Sequence, residues 1–277
     1  MIAVIAAIIL CVLARFQEET MNLGSPFIKR HQLIIFVLLA YLLSWWPALT
    51  PMGGLLPHGP LFAALLVIWL SEGGAGVRSW WARVTTFRTA WPWYVIGALI
   101  PTLIALGAAG LNTLFGAQIT GPIDWMIPLT VLPIMLLVSG MWEEPGWTGY
   151  ALPYLDEHFG SAPNGILVAT GIMALIRSLW HLPLVISGSI YWTDLVFILA
   201  FQLVLSWLYH GSGSVPVVML THLMSNIIGG ELVGTWFEGA DWAREAWLRG
   251  LLWILFALVL LAARGVRLGK KPQRIGI

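Results

Sequence analysis

Two adjacent carboxylates, Glu143 and Glu144, follow a long apolar run that starts at Trp125. An acidic side chain at membrane depth is costly unless it is paired, neutralised or facing water, so it is read first as functional. Like charges a few ångströms apart resist ionising together, so one of the two can hold a proton while the other acts as a base. That division suits acid–base chemistry. The plainer reading is that the pair marks the point where a helix leaves the bilayer. Further polar residues inside later apolar segments weigh against it.

Those residues are His181, in Ser178-Leu179-Trp180-His181-Leu182-Pro183, and the pair His222 and Asn226, in His222-Leu223-Met224-Ser225-Asn226. A spacing of four places His222 and Asn226 on one helix face, one turn apart. Two carboxylates, two imidazoles and a carboxamide lining one cavity could hydrolyse a peptide bond. A glutamate takes the proton of water, a histidine holds the water or protonates the leaving amine, and the amide stabilises the oxyanion. The same set could bind a divalent metal such as zinc through His181, His222 and Glu143, with the metal activating the water. Each histidine alone is equally well read as a hydrogen-bonded packing residue between helices.

Membrane helices must position these groups. The chain of 277 residues is 59% hydrophobic and only 10% charged, where a soluble domain carries about a quarter charged residues. The expected fold is all-α: a polytopic bundle of roughly eight transmembrane helices with its site in a membrane-embedded cavity. The spans are expected near 33–49, 61–70, 93–115, 125–141, 166–186, 195–209, 215–228 and 251–263. The basic and aromatic stretch from Arg78 to Arg88 suits a helix in the headgroup layer. Residues 1–20 are a short apolar segment without a basic n-region, read as a start-site extension ahead of Met21. Residues 21–277 read as a single domain, with no clear internal repeat. Cys11 stands alone, so disulfides and cysteine-ligated metals are excluded.

Loop charges orient the bundle. With both termini cytoplasmic, Lys29, Arg30, Arg78, Arg83, Arg88, Arg264, Arg267, Lys270, Lys271 and Arg274 all fall inside. Arg244 and Arg249 fall outside, among Glu231, Glu238, Asp241 and Glu245. The positive-inside rule asks for this asymmetry in a multi-pass protein of the cell membrane. It also puts Glu143 and Glu144 near the cytoplasmic end of the fourth span. The expected partners are membrane lipid and a membrane-associated protein or peptide substrate. A net charge of +1 without a basic stripe argues against nucleic acid.

Glu143-Glu144 with Trp147-Thr148-Gly149-Tyr150-Ala151-Leu152-Pro153, then Leu179 to Pro183, Trp207-Leu208-Tyr209 and His222 to Asn226, resembles the CPBP family of intramembrane proteases. That family includes the CAAX prenyl endopeptidases and bacteriocin-processing or immunity proteins. The resemblance implies that Glu143 activates the water and Glu144 supports it. It implies that His181 and His222 complete the site and Asn226 stabilises the oxyanion, and it leaves metal dependence open. Two positions depart from the pattern. The family's first motif is Glu-Glu-x-x-x-Arg, and here Thr148 stands where the arginine belongs. An aromatic usually precedes the second motif's histidine by four residues, and here that residue is Arg177. Arg177 and His181 share a helix face, so Arg177 is expected to supply the missing cation beside the glutamates. Otherwise it snorkels to the interface and the site has decayed.

Other classes fit less well. A zinc protease of the site-2 type needs His-Glu-x-x-His, which is absent, and Gly211-Ser212-Gly213-Ser214 stops short of an aspartyl-type Gly-x-Gly-Asp. A serine type would draw on Ser178, Ser206 or Ser225. A transporter could use the same residues as a proton relay, but lacks its repeat here. A non-catalytic immunity or scaffold protein is the reading that Thr148 favours.

Overall fold

A backbone that crosses lipid must satisfy its polar groups internally, which leaves helices for a chain of this composition. The computed structural model describes residues 26–51, 53–120 and 123–269. The expected extension (residues 1–20), Met21, and the tail residues Lys270, Lys271 and Arg274 lie outside the described residues. Among those described there is no strand, and eight stretches are long and apolar enough to span a membrane. The chain is a multi-pass helical membrane protein.

The helices are α1 (Pro26–Trp45), α2 (Gly59–Val84), α3 (Pro92–Leu114), α4 (Ile127–Val138), α5 (Leu152–Phe159), α6 (Gly165–Trp180), α7 (Leu182–Ile186), α8 (Asp194–Ser212), α9 (Val215–Met224) and α10 (Gly239–Arg264). The third, fifth and sixth spans match the expected ones to within a few residues. The first starts seven residues earlier, at Pro26, the seventh ends seven later, at Thr235, and the eighth starts twelve earlier, at Gly239. The second and the fourth are longer and more instructive. α2 runs through to Val84, broken only at Gly73, whose φ of 69° no side-chain-bearing residue adopts easily. The basic, aromatic segment from Arg78 is therefore the outer arm of α2 rather than a separate helix.

The fourth span, Ile127–Phe159, is a broken helix. α4 stops where Ser139 turns extended (φ −78°, ψ 167°). The chain resumes as a 3-10 turn at Gly140–Glu143, one α turn at Glu144–Gly146 and a π turn at Trp147–Ala151, and then enters α5. Glu143 and Glu144 thus lie midway along the span, not at its cytoplasmic end. The charges did not terminate it because Arg177 and His222 from other helices pair with Glu144 and the segment around both glutamates is buried. Aromatic packing clamps the break. Trp147 meets Phe36 and Trp180 edge-on, with ring centroids 5.3 and 6.1 Å away. Trp80 Nε1 donates to the Pro145 carbonyl at 3.2 Å, and Trp45 Nε1 to that of Trp180 at 2.9 Å.

Contacts between loops define two faces. On one, Thr89 Oγ1 donates to the Ser212 carbonyl and His210 pairs with Asp156. The exposed residues Lys29, Arg30, Arg78, Arg83, Arg88, Arg264 and Arg267 belong to the helix ends and loops of this face. On the other, Arg244 Nε donates to Asn112 Oδ1, Thr120 N to the Trp236 carbonyl, and Tyr191 meets Trp242. Its two cations are committed locally: Arg244 to Asp241 and Arg249 to Glu245.

Candidate active site

The break in the fourth span brings the polar residues together. Glu144, fully buried, is saturated. Arg177 Nη2 donates to both of its oxygens at 2.8 and 2.9 Å, Thr148 Oγ1 to Oε2 at 2.6 Å, and His222 Nδ1 to Oε1 at 2.6 Å. Glu143 is the opposite case. Among the described residues, its Oε2 is buried without a partner. The Trp147 indole lies beside it, short of hydrogen-bond geometry. One carboxylate is locked, and its neighbour keeps an oxygen unpaired.

Arg177 reaches Glu144 and not the headgroups: it is 1% exposed, and its Nε and Nη1 stay unpartnered. Thr148 is not inert. It adds a neutral donor to the carboxylate that the guanidinium already holds. Arg177 from α6 and Thr148 from the broken span thus share one partner, Glu144.

Tautomers follow from the partners. His181 Nδ1 lies 2.8 Å from the Arg177 carbonyl, which can only accept, so Nδ1 carries the hydrogen and Nε2 is left to accept. His222 Nδ1 faces a carboxylate with the same consequence. Asn226 Oδ1 accepts the Gly140 N–H at 3.0 Å, which leaves its NH2 end for other work. That bond also satisfies a backbone donor exposed by the break at Ser139. A π turn over Ser225–Leu232 widens the helix from Ser225 onward and carries Asn226 onto Gly140. Gly140 sits at the centre of the group. A methyl there would collide with His222 Nε2 and lie 3.0 Å from Glu143 Oε1, so only glycine leaves the ground between base and imidazole open. Sequence reasoning missed this residue; nothing in an apolar run flags a glycine whose neighbours come from another helix.

Arg177, His181, His222, Ser225 and Asn226 line one cavity of about 200 Å³, walled opposite by Phe197, Phe201 and Trp253. Glu143 and Glu144 stand behind it, with their ligand atoms and that of His222 all within 4.8 Å of one another. Ser178 donates to the Leu195 carbonyl and Ser206 accepts from Gln202, so neither serves a histidine; Ser225 lines the cavity with no bond to either ring.

The expected metal ligands are only partly clustered. Among the described residues, the cluster at coordination distance is Glu143, Glu144 and His222, and His181 is outside it. Glu144 is also a poor ligand, since a guanidinium, a hydroxyl and an imidazole already occupy its oxygens. A dication there would compete with Arg177 for the same oxygen, 2.8 Å from a fixed positive charge. A catalytic zinc wants three protein ligands around an open position, and with Glu144 engaged only Glu143 and His222 of this cluster are left to supply them.

Comparison with known proteins points the same way as the motifs. Residues 124–228 match the family described as Type II CAAX prenyl endopeptidase Rce1-like, an interval that holds both glutamates, Arg177, both histidines and Asn226. The chain is 24% identical over 151 residues to CAAX prenyl protease 2 of Methanococcus maripaludis, covering 48% of this chain and 54% of that protein. It therefore spans about half the length of the curated relative it matches. These matches, and the ordered motifs they contain, make the chain similar to the CPBP-family membrane proteins.

Proposed function

We propose that the protein is an intramembrane endopeptidase that hydrolyses a peptide bond in a membrane-associated protein or peptide, using glutamate-activated water. The observation that carries this is the contrast between a locked Glu144 and a Glu143 whose Oε2 has no partner, within 4.8 Å of a ring nitrogen of His222. Glu143 takes a proton from water while His222 Nε2 accepts the water's other hydrogen and fixes its direction. The oxygen attacks the scissile carbonyl, and the Asn226 NH2 receives the developing oxyanion. Glu143, now protonated, gives its proton to the leaving amine as the carbon–nitrogen bond breaks. His181 presents Nε2 to the same cavity and orders the substrate or the second water contact. Arg177 and Thr148 do not touch substrate in this scheme; they hold Glu144, which holds His222. The basic face supports a multi-pass protein of the cell membrane with both termini cytoplasmic.

Support from the comparisons is of the coarser kind: the matched relative is a CAAX prenyl protease. A second reading, a catalytically silent immunity or scaffold protein, rests on Thr148 standing where the resemblance expects arginine. The test is cleavage of a membrane-associated reporter peptide by the purified chain in detergent, with and without a strong chelator. Turnover unaffected by the chelator is expected. Loss of activity that zinc restores would overturn the metal-free mechanism, and no cleavage under any condition would put the silent reading first.

A further inference from the structure

Two buried side-chain atoms of the broken span are left without partners, and they are complementary. Between Gly140 and Ala151 the atoms in that condition are Glu143 Oε2 and Trp147 Nε1. The first can only accept when the carboxylate is ionised, and the second can only donate. The two residues are four apart, one turn along the same segment, and the indole lies beside the carboxylate. The next pair in the same register, Glu144 and Thr148, makes its bond, at 2.6 Å. A buried indole N–H usually finds an acceptor, because leaving such a bond unmade is costly. Trp147 has no room to turn elsewhere for one: its ring is fully buried and held edge-on by Phe36 and Trp180.

We infer that Trp147 is a positioning residue for Glu143: its indole N–H takes Oε2 and so fixes which oxygen of the base meets the water. The other oxygen, Oε1, faces the open ground at Gly140, 3.0 Å from where a Cβ on that glycine would stand. His222 Nε2 borders the same ground. A carboxylate held through Oε2 no longer swivels its two equivalent oxygens past each other, so Oε1 keeps its aim at the proton it receives. A hydrogen bond to an ionised acceptor is about twice as strong as a neutral one, which suits an arm that closes on the base when it is ready to act. The inference deepens the protease reading and rests on Glu143 being the base.

The experiment replaces the indole by its sulfur isostere, since Trp147→Phe would open a void beside the base. Benzothienylalanine at position 147, introduced by nonsense suppression into the full chain, keeps the bicyclic shape and removes the N–H. The same replacement at Trp180, whose Nε1 is equally buried and unpartnered, controls for packing and for the loss of an idle N–H. The Trp147 variant should lose about tenfold in kcat, the worth of one hydrogen bond to a charged group, with KM and unfolding temperature unchanged. The Trp180 variant should keep its kcat. Equal losses at both positions, no loss at 147, or a loss confined to KM overturns the inference. A second measurement needs no turnover: the indole N–H proton resonance that the Trp147 variant lacks should move upfield in Glu143→Gln, where no charge remains to be met. A resonance that stays in place overturns the inference. Failure of the protease reading shows elsewhere, as cleavage that survives Glu143→Gln while the resonance still moves.

Discussion

Glu143→Gln should abolish peptide cleavage, by about two to four orders of magnitude, while the protein stays folded in its membrane or detergent. The two halves of this expectation come from the same geometry. Glutamine keeps the shape but cannot take a proton from water. It also leaves the Glu144 network with Arg177, Thr148 and His222 in place, since Glu143 Oε2 has no partner to lose. Glu144→Gln is the informative contrast. It removes the charge that Arg177 and His222 both address, so it should cost stability as well as turnover. Thermal unfolding beside a cleavage assay separates the two variants. Unchanged turnover by the Glu143 variant would mean that another group is the base.

Arg177→Leu is expected to destabilise the protein by about 3–5 kcal/mol, since removing one side of a buried pair leaves a charge without compensation. Neither partner can find water instead: Arg177 is 1% exposed and Glu144 0%. Thr148 and His222 would remain on Glu144, but a hydroxyl carries no charge and the imidazole already faces one oxygen. Activity should fall together with stability, because Glu144 positions His222 and His222 positions the water. Adding Thr148→Arg should recover part of both, by returning a guanidinium to the same carboxylate from one turn away on its own segment. A double variant no better than Arg177→Leu alone would show that the cation cannot be moved back. The silent reading would then gain.

Much of this was legible in the sequence, for reasons that can be named. Apolar runs long enough to span lipid gave the helix count, because backbone satisfaction in lipid leaves few alternatives. Arg177 could be singled out because a cation in an apolar helix, four residues before His181, has to be held by something. The fourth span could not be bounded. Reading along the chain, Glu143 and Glu144 look like an exit to water, and the groups that cancel them are 33 and 78 residues further on, measured from Glu144. The two π turns were invisible as well, since a single widened turn leaves no periodic trace. Which histidine lies at coordination distance from the glutamates could not be read either: His222 does and His181 stands outside that cluster.

That distance along the chain also sets an order of events during synthesis. When Phe159 has been made, the fourth span carries two carboxylates at its middle, and neither Arg177 nor His222 yet exists. A lone charge at the bilayer centre costs about 3 kcal/mol on insertion scales. The span therefore settles only after α6 and α9 have emerged, as a late lodger rather than a sequential one. A chain stopped after Phe159 should leave this segment poorly inserted, and one stopped after Trp180 should retain it better, as protease protection of nascent chains in membranes would record. Equal protection of both would mean that the broken helix holds its place without its distant partners.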